Sequence, residues 1–249
     1  MDELDPAFEW KLRAAAIPAA LVVALAFHAW PTGHFLQRTF LTMMVHELGH
    51  AVTGWWCGFA ALPTLWRTAI PEARGVIVPL LVALGAAAII YRGLKDERRW
   101  LAGAGAVLIA LQLAGTFALS ADQAHATIIF GGDGGAMVLG TLLMACFFVP
   151  RLRKGGLRWG LLAIGAAAFV DTFATWWTAR TNRDVIPFGE IEGVGLSDPS
   201  KLTETYGWHT GQMIARYVTL GVACLVALAA LWAWQTWRLR ATTRPAPGP

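Results

Sequence analysis

Long apolar runs separated by short polar segments dominate this chain. Seven runs stand out: Ala14 to Trp30, Thr39 to Ala60, Val76 to Tyr91, Leu101 to Leu119, Thr127 to Val149, Trp159 to Ala179 and Tyr217 to Trp237. A helix needs about 20 mostly apolar residues to cross the hydrocarbon core of a bilayer. The runs lack the period-two alternation of barrel strands, so they predict helices. The expected fold is all-α and integral to a membrane, a polytopic bundle of about seven transmembrane helices. It is expected to form a single embedded domain over residues 1–239. The basic, Pro-rich segment 240–249 reads as a disordered tail. The first run reads as a retained span, because the segment before it is acidic and no clear small-residue cleavage site follows.

Charge placement orients the bundle. Arg92, Lys95, Arg98 and Arg99 lie between the third and fourth runs. Arg151, Arg153, Lys154 and Arg158 lie between the fifth and sixth, and Arg238, Arg240 and Arg244 follow the seventh. The excess of Lys and Arg on cytoplasmic loops places all three segments on that side. The acid-rich segment from Arg180 to Gly211 then belongs to the opposite face. Within it, Ser197-Asp198-Pro199 reads as a capped helix start with proline in the first turn, and Gly207 as a stop. That short helix is expected to be a structured connector, or less simply a substrate gate.

Composition sharpens the picture. Hydrophobic residues make up 56% and charged residues only 14%, too few for the surface of a soluble domain. Disorder is excluded by the same numbers. The three cysteines lie inside apolar runs without CxxC spacing, which excludes a disulfide scaffold and a cysteine-ligated zinc ribbon. Thirteen tryptophans, many near run ends, suit anchoring at the membrane interfaces. The net charge of +4 falls in the inter-run segments, so it speaks for membrane orientation and against nucleic acid.

The second run carries His46-Glu47-Leu48-Gly49-His50, an HExxH pattern. On a helix, residues four apart lie one turn above each other on one face, so both imidazoles can address one metal ion. Zinc in such a site brings a bound water toward a pKa of about 7, and Glu47 stands beside it as the base. At this chain's own His and Glu frequencies, a chance match is roughly a one-in-two-hundred event. Three polar groups near the middle of an apolar run also need a compensating partner, because an intramembrane carboxylate is costly. A hydrogen-bonded polar cluster joining helices is the plainer alternative.

A tetrahedral catalytic zinc site takes a third protein ligand. Besides Glu47, two acids lie in apolar runs. Asp133 sits among four glycines, Gly131-Gly132-Asp133-Gly134-Gly135, which permit close approach of another helix. Asp171 lies in the sixth run and can equally serve as an inter-helix hydrogen-bond partner or orient a ligating histidine. Two runs separate the motif from Asp133, so simple counting makes their helices antiparallel. His28, His34, Asp122, His125 and His209 read as interfacial residues, with His125 the one worth testing as an extra ligand. Gln112 reads as an inter-helix hydrogen bond, and Cys57 lies two turns from His50, too far for the same ion.

With these residues the chain resembles the site-2 protease family of intramembrane zinc metalloproteases, as a divergent member. The resemblance rests on His46-Glu47-Leu48-Gly49-His50 followed by Ala51, and on Asp133-Gly134-Gly135. It implies that His46, His50 and Asp133 hold Zn2+, and that Glu47 is the catalytic base. The implied activity is hydrolysis of peptide bonds in a transmembrane or juxtamembrane segment of another membrane protein. A helix shields its own carbonyls, so glycine-containing or helix-weak substrates are expected. The expected setting is a multi-pass protein of a bacterial cytoplasmic (inner) membrane. The competing readings are a membrane metal transporter and a non-catalytic metal-binding scaffold.

Overall fold

The computed structural model describes residues 6–152, 156–191 and 195–243. Arg153, Lys154 and Arg244, counted above for orientation, lie outside them, as does the tail from 244 onward. The described residues are overwhelmingly helical. In chain order they form α1 (Pro6–Ala29), α2 (Pro31–Gln37), α3 (Met43–Trp56), β1 (Leu62–Pro63), β2 (Thr68–Ala69), α4 (Ile77–Lys95) and α5 (Arg99–Leu113). Then follow α6 (Ala121–Ala145), α7 (Leu157–Thr178), β3 (Glu190–Ile191), β4 (Gly195–Leu196), α8 (Asp198–Ser200) and α9 (Thr210–Thr243). The last helix therefore carries regular structure through residues 240–243, where a disordered tail is expected from composition.

Six stretches among the described residues are long and apolar enough to cross a membrane: Phe8–Ala29, Ile77–Lys95, Arg99–Ala118, Ala121–Phe148, Leu157–Thr178 and Thr210–Arg240. They coincide with six of the seven runs. The run holding the motif is not among them. Chain 31–56 is helical throughout, with a wide turn at Arg38–Thr42 joining α2 to α3. Arg38, His46, Glu47 and His50 dilute its apolar character, and α3 alone, at 14 residues, spans only about 21 Å. Several observed helices start before their apolar runs. Ala121–Ala145 begins with Asp122, Gln123 and His125, whose polar side chains suit a first turn but break a hydropathy count.

The chain divides into two compact units. The first comprises residues 1–45, 136–185 and 213–249. In it α1 lies along α7, and the indoles of Trp10 and Trp232 donate to Thr236 O and Ala14 O, joining α1 to α9. Trp176 stacks on Tyr217 with ring centroids 4.1 Å apart. Arg158, read as a loop charge, is buried; its guanidinium approaches Glu9 at 3.4 Å, and Glu9 also accepts from Arg13 at 2.8 Å. Burying those charges is tolerable because each is paired.

The second unit comprises residues 46–135 and 186–212. Its α4 and α5 form a hairpin, with Gly93 against Ala102 and Gly105 against Ala86 and Ile90. Gln112 on α5 donates to Pro79 O on α4, the inter-helix bond expected of it. Both helices leave most of their apolar side chains exposed, Ile77, Leu81 and Val107 among them.

Candidate metal centre

The second unit assembles the HExxH centre. The order of contacts sets the direction of its two principal helices. Moving along α3 from His46 to His50, the partner on α6 falls from Asp133 to Ile128, so the helices run antiparallel, as counting predicts. Glycines allow the close approach. A side chain on Gly49 would meet the backbone of Gly131 and Gly132, and one on Gly135 would meet Gly49. At Gly132 a methyl would strike the imidazoles of both His46 and His50. The glycine cluster thus makes room for the two rings.

Each ring is held by the nitrogen facing away from its neighbour. His46 Nδ1 lies 2.9 Å from Asp133 Oδ1, and His50 Nδ1 lies 2.7 Å from Ile128 O. A carbonyl can only accept, and so can an ionised carboxylate, so both Nδ1 atoms carry the proton. With each imidazole neutral, as a metal ligand has to be, both Nε2 atoms are lone pairs, and they face each other at 3.1 Å.

The third member is Asp198. Its Oδ2 stands 3.2 Å from His46 Nε2 and 2.9 Å from His50 Nε2. Ser197 caps α8 by accepting from Ser200 N, and Ser200 in turn accepts from Gly189 N, so the start of this short helix is fixed in place. Lys201 Nζ lies 3.6 Å from the other carboxylate oxygen of Asp198.

Two neutral nitrogens and one carboxylate oxygen thus meet with lone pairs inward. A proton on one nitrogen would relieve part of this, whereas a cation relieves all of it. The edges of the triangle are 2.9, 3.1 and 3.2 Å. Ligands about 2.0–2.1 Å from a tetrahedral zinc are separated by about 3.3 Å, so the donor set fits that ion with little movement.

Glu47 is 5% exposed, and its Oε2 lies 2.8 Å from Thr68 Oγ1 on β2. The same hydroxyl is 2.8 Å from the Glu47 carbonyl oxygen. The β1–β2 hairpin, paired through Leu62 with Ala69 and Pro63 with Thr68, presents that hydroxyl.

The candidate residues therefore separate. His46, His50 and Glu47 occupy one centre. Asp133 reaches His46 at Nδ1 and so orients that ring, while Asp198 takes the position at the paired Nε2 atoms. Asp171 belongs to the first unit, where it faces His28, His34 and Arg38. His125 lies apart from the centre, donating to Ala121 O and packing on Phe59. Asp198 and Thr68 escape a reading of sequence. The Ser-Asp-Pro helix start marks Asp198 only as an acidic first-turn residue, and nothing local marks Thr68. Compared with protein-family models, curated proteins and solved structures, the chain shows no match.

Proposed function

We propose that this chain is a multi-pass membrane zinc metalloprotease that hydrolyses peptide bonds in membrane-protein segments, related in its chemistry to the site-2 proteases. The observation that carries the reading is the meeting of His46 Nε2, His50 Nε2 and Asp198 Oδ2 within 3.2 Å, with Glu47 on the same helix. His46, His50 and Asp198 would hold the zinc, and Asp133 would fix the tautomer of His46. Zinc bound there supplies acidification of a water and polarisation of a substrate carbonyl.

The remaining work falls to side chains. Glu47 takes a proton from the water whose oxygen attacks the carbonyl carbon. It returns that proton to the amine nitrogen as the C–N bond breaks. Thr68 suits both states of Glu47. Toward the carboxylate its hydroxyl donates; once Glu47 is protonated, Thr68 can accept from it and donate to the Glu47 carbonyl oxygen. The bundle reads as embedded in a cytoplasmic membrane, its substrate a transmembrane or juxtamembrane segment with weak helix propensity.

Glu47→Gln in the purified full chain is the direct test. It should keep its metal and lose peptide hydrolysis by at least about a hundredfold, the usual contribution of a general base. Undiminished cleavage would remove Glu47 from the reaction. A metal transporter is a second reading, favoured by the additional His28–His34–Asp171 group. It predicts metal flux into proteoliposomes that Glu47→Gln leaves unchanged, whereas the protease reading predicts no such flux.

A further inference from the structure

We propose that His28, His34 and Asp171 form a second site for a divalent transition-metal ion, independent of the HExxH centre and of the activity proposed for it. The three residues come from α1, α2 and α7, and all belong to the first unit. His34 Nε2 lies 2.7 Å and His28 Nδ1 3.4 Å from the same oxygen, Asp171 Oδ1. The two rings stand 4.5 Å apart, tilted by 60°.

Direction matters more than distance here. All three atoms are buried, and none has a hydrogen-bond partner despite the 2.7 Å approach. An imidazole N–H that served the carboxylate would point along the line to its oxygen. Lone pairs that share a cation point instead at the space between them. An unsatisfied carboxylate oxygen on a residue with 0% exposure is expensive unless something at that spot compensates it.

Arg38 strengthens the assignment. Its Nη1 lies 3.1 Å from Asp171 Oδ2, so the guanidinium occupies the oxygen that faces away and leaves Oδ1 for the histidines. It also offsets the carboxylate charge, so this site should bind more weakly than the HExxH centre. Two imidazoles and one carboxylate select zinc, cobalt, nickel or ferrous iron over calcium or magnesium, which prefer all-oxygen shells. His34 is 39% exposed on its side chain, which gives an ion a route of exchange. A bound ion would tie the α1–α2 corner to α7.

The test uses the full chain in detergent, stripped with chelator and titrated with Co2+, whose visible absorption reports nitrogen ligation. Wild type should bind about two equivalents, and both His34→Ala and the pair His46→Ala/His50→Ala about one each. Combining them should abolish binding. Arg38→Gln should keep the second equivalent and tighten it, whereas a simple ion-pair network would hold no metal with or without Arg38. Wild type binding one equivalent that His34→Ala leaves untouched overturns the second site. One equivalent lost in His34→Ala but kept in His46→Ala/His50→Ala sustains it while removing the HExxH centre as a metal site. Thermal melting of each variant reports that it is folded.

Discussion

Asp198→Ala should strip the HExxH centre of its metal. Four-ligand structural zinc sites are worth about 10–16 kcal/mol, so one ligand carries about 3–4 kcal/mol, a loss of roughly a hundredfold to a thousandfold in affinity. Asp133→Asn should do less. Its carboxylate contacts Nδ1 of His46, and partners of that kind contribute about 10–100-fold. Metal content after dialysis against graded chelator measures both. If Asp133→Asn empties the centre while Asp198→Ala leaves it filled, the two carboxylates have exchanged roles and the residues drawn from the family resemblance are the ligands after all. Asp198 lies at the start of a capped short helix, so Ser197→Ala, which removes only the cap, gives a graded control. It should weaken the helix start by about 1 kcal/mol and shift metal affinity modestly.

Gly132→Val should abolish metal binding and lower the melting temperature together. The added carbons would land on the imidazoles of His46 and His50, and beside them the backbones of α3 and α6 are too close to retreat. Even Gly132→Ala should cost about 1–3 kcal/mol through overpacking. Gly160→Ala is the comparison: a Cβ there meets nothing within 4 Å, so alanine should raise helix stability by roughly 0.5–1 kcal/mol. Equal effects at the two positions would mean that glycine at 132 serves the backbone rather than the rings. Thermal melts with and without added zinc separate the alternatives, since only a ring clash removes the stabilisation that zinc confers.

Much of the architecture was legible because it depends on local composition. Six apolar runs became six helices, since each residue in such a run favours burial or lipid regardless of its distant neighbours. The second run, which holds the motif, is not among them for a physical reason. Its apolar residues flank His46, Glu47 and His50, and the helix they form is 14 residues long. Gln112 and the Ser197 cap were also readable, each being a polar group with one local demand to satisfy. Arg158 was not: adjacency to a basic segment suggested a loop charge, and only packing against Glu9 revealed a buried one.

The pairing of His46 with His50 and the placement of Glu47 beside them follow from helical periodicity, a property of neighbours in the chain. The third carboxylate does not. Asp198 lies 152 residues from His46, and Asp133 lies 87 residues away. Both are acids with plausible surroundings, and nothing in the order of residues says which nitrogen each will face. That was decided by the antiparallel packing of α3 on α6, which turns Asp133 to Nδ1, and by the fold of the segment carrying α8, which brings Asp198 to Nε2. Likewise three polar residues that look interfacial along the chain, or lie alone in a run, meet around one unsatisfied oxygen once α1, α2 and α7 are packed. Ligand identity is a matter of direction in space, and only tertiary contacts set direction.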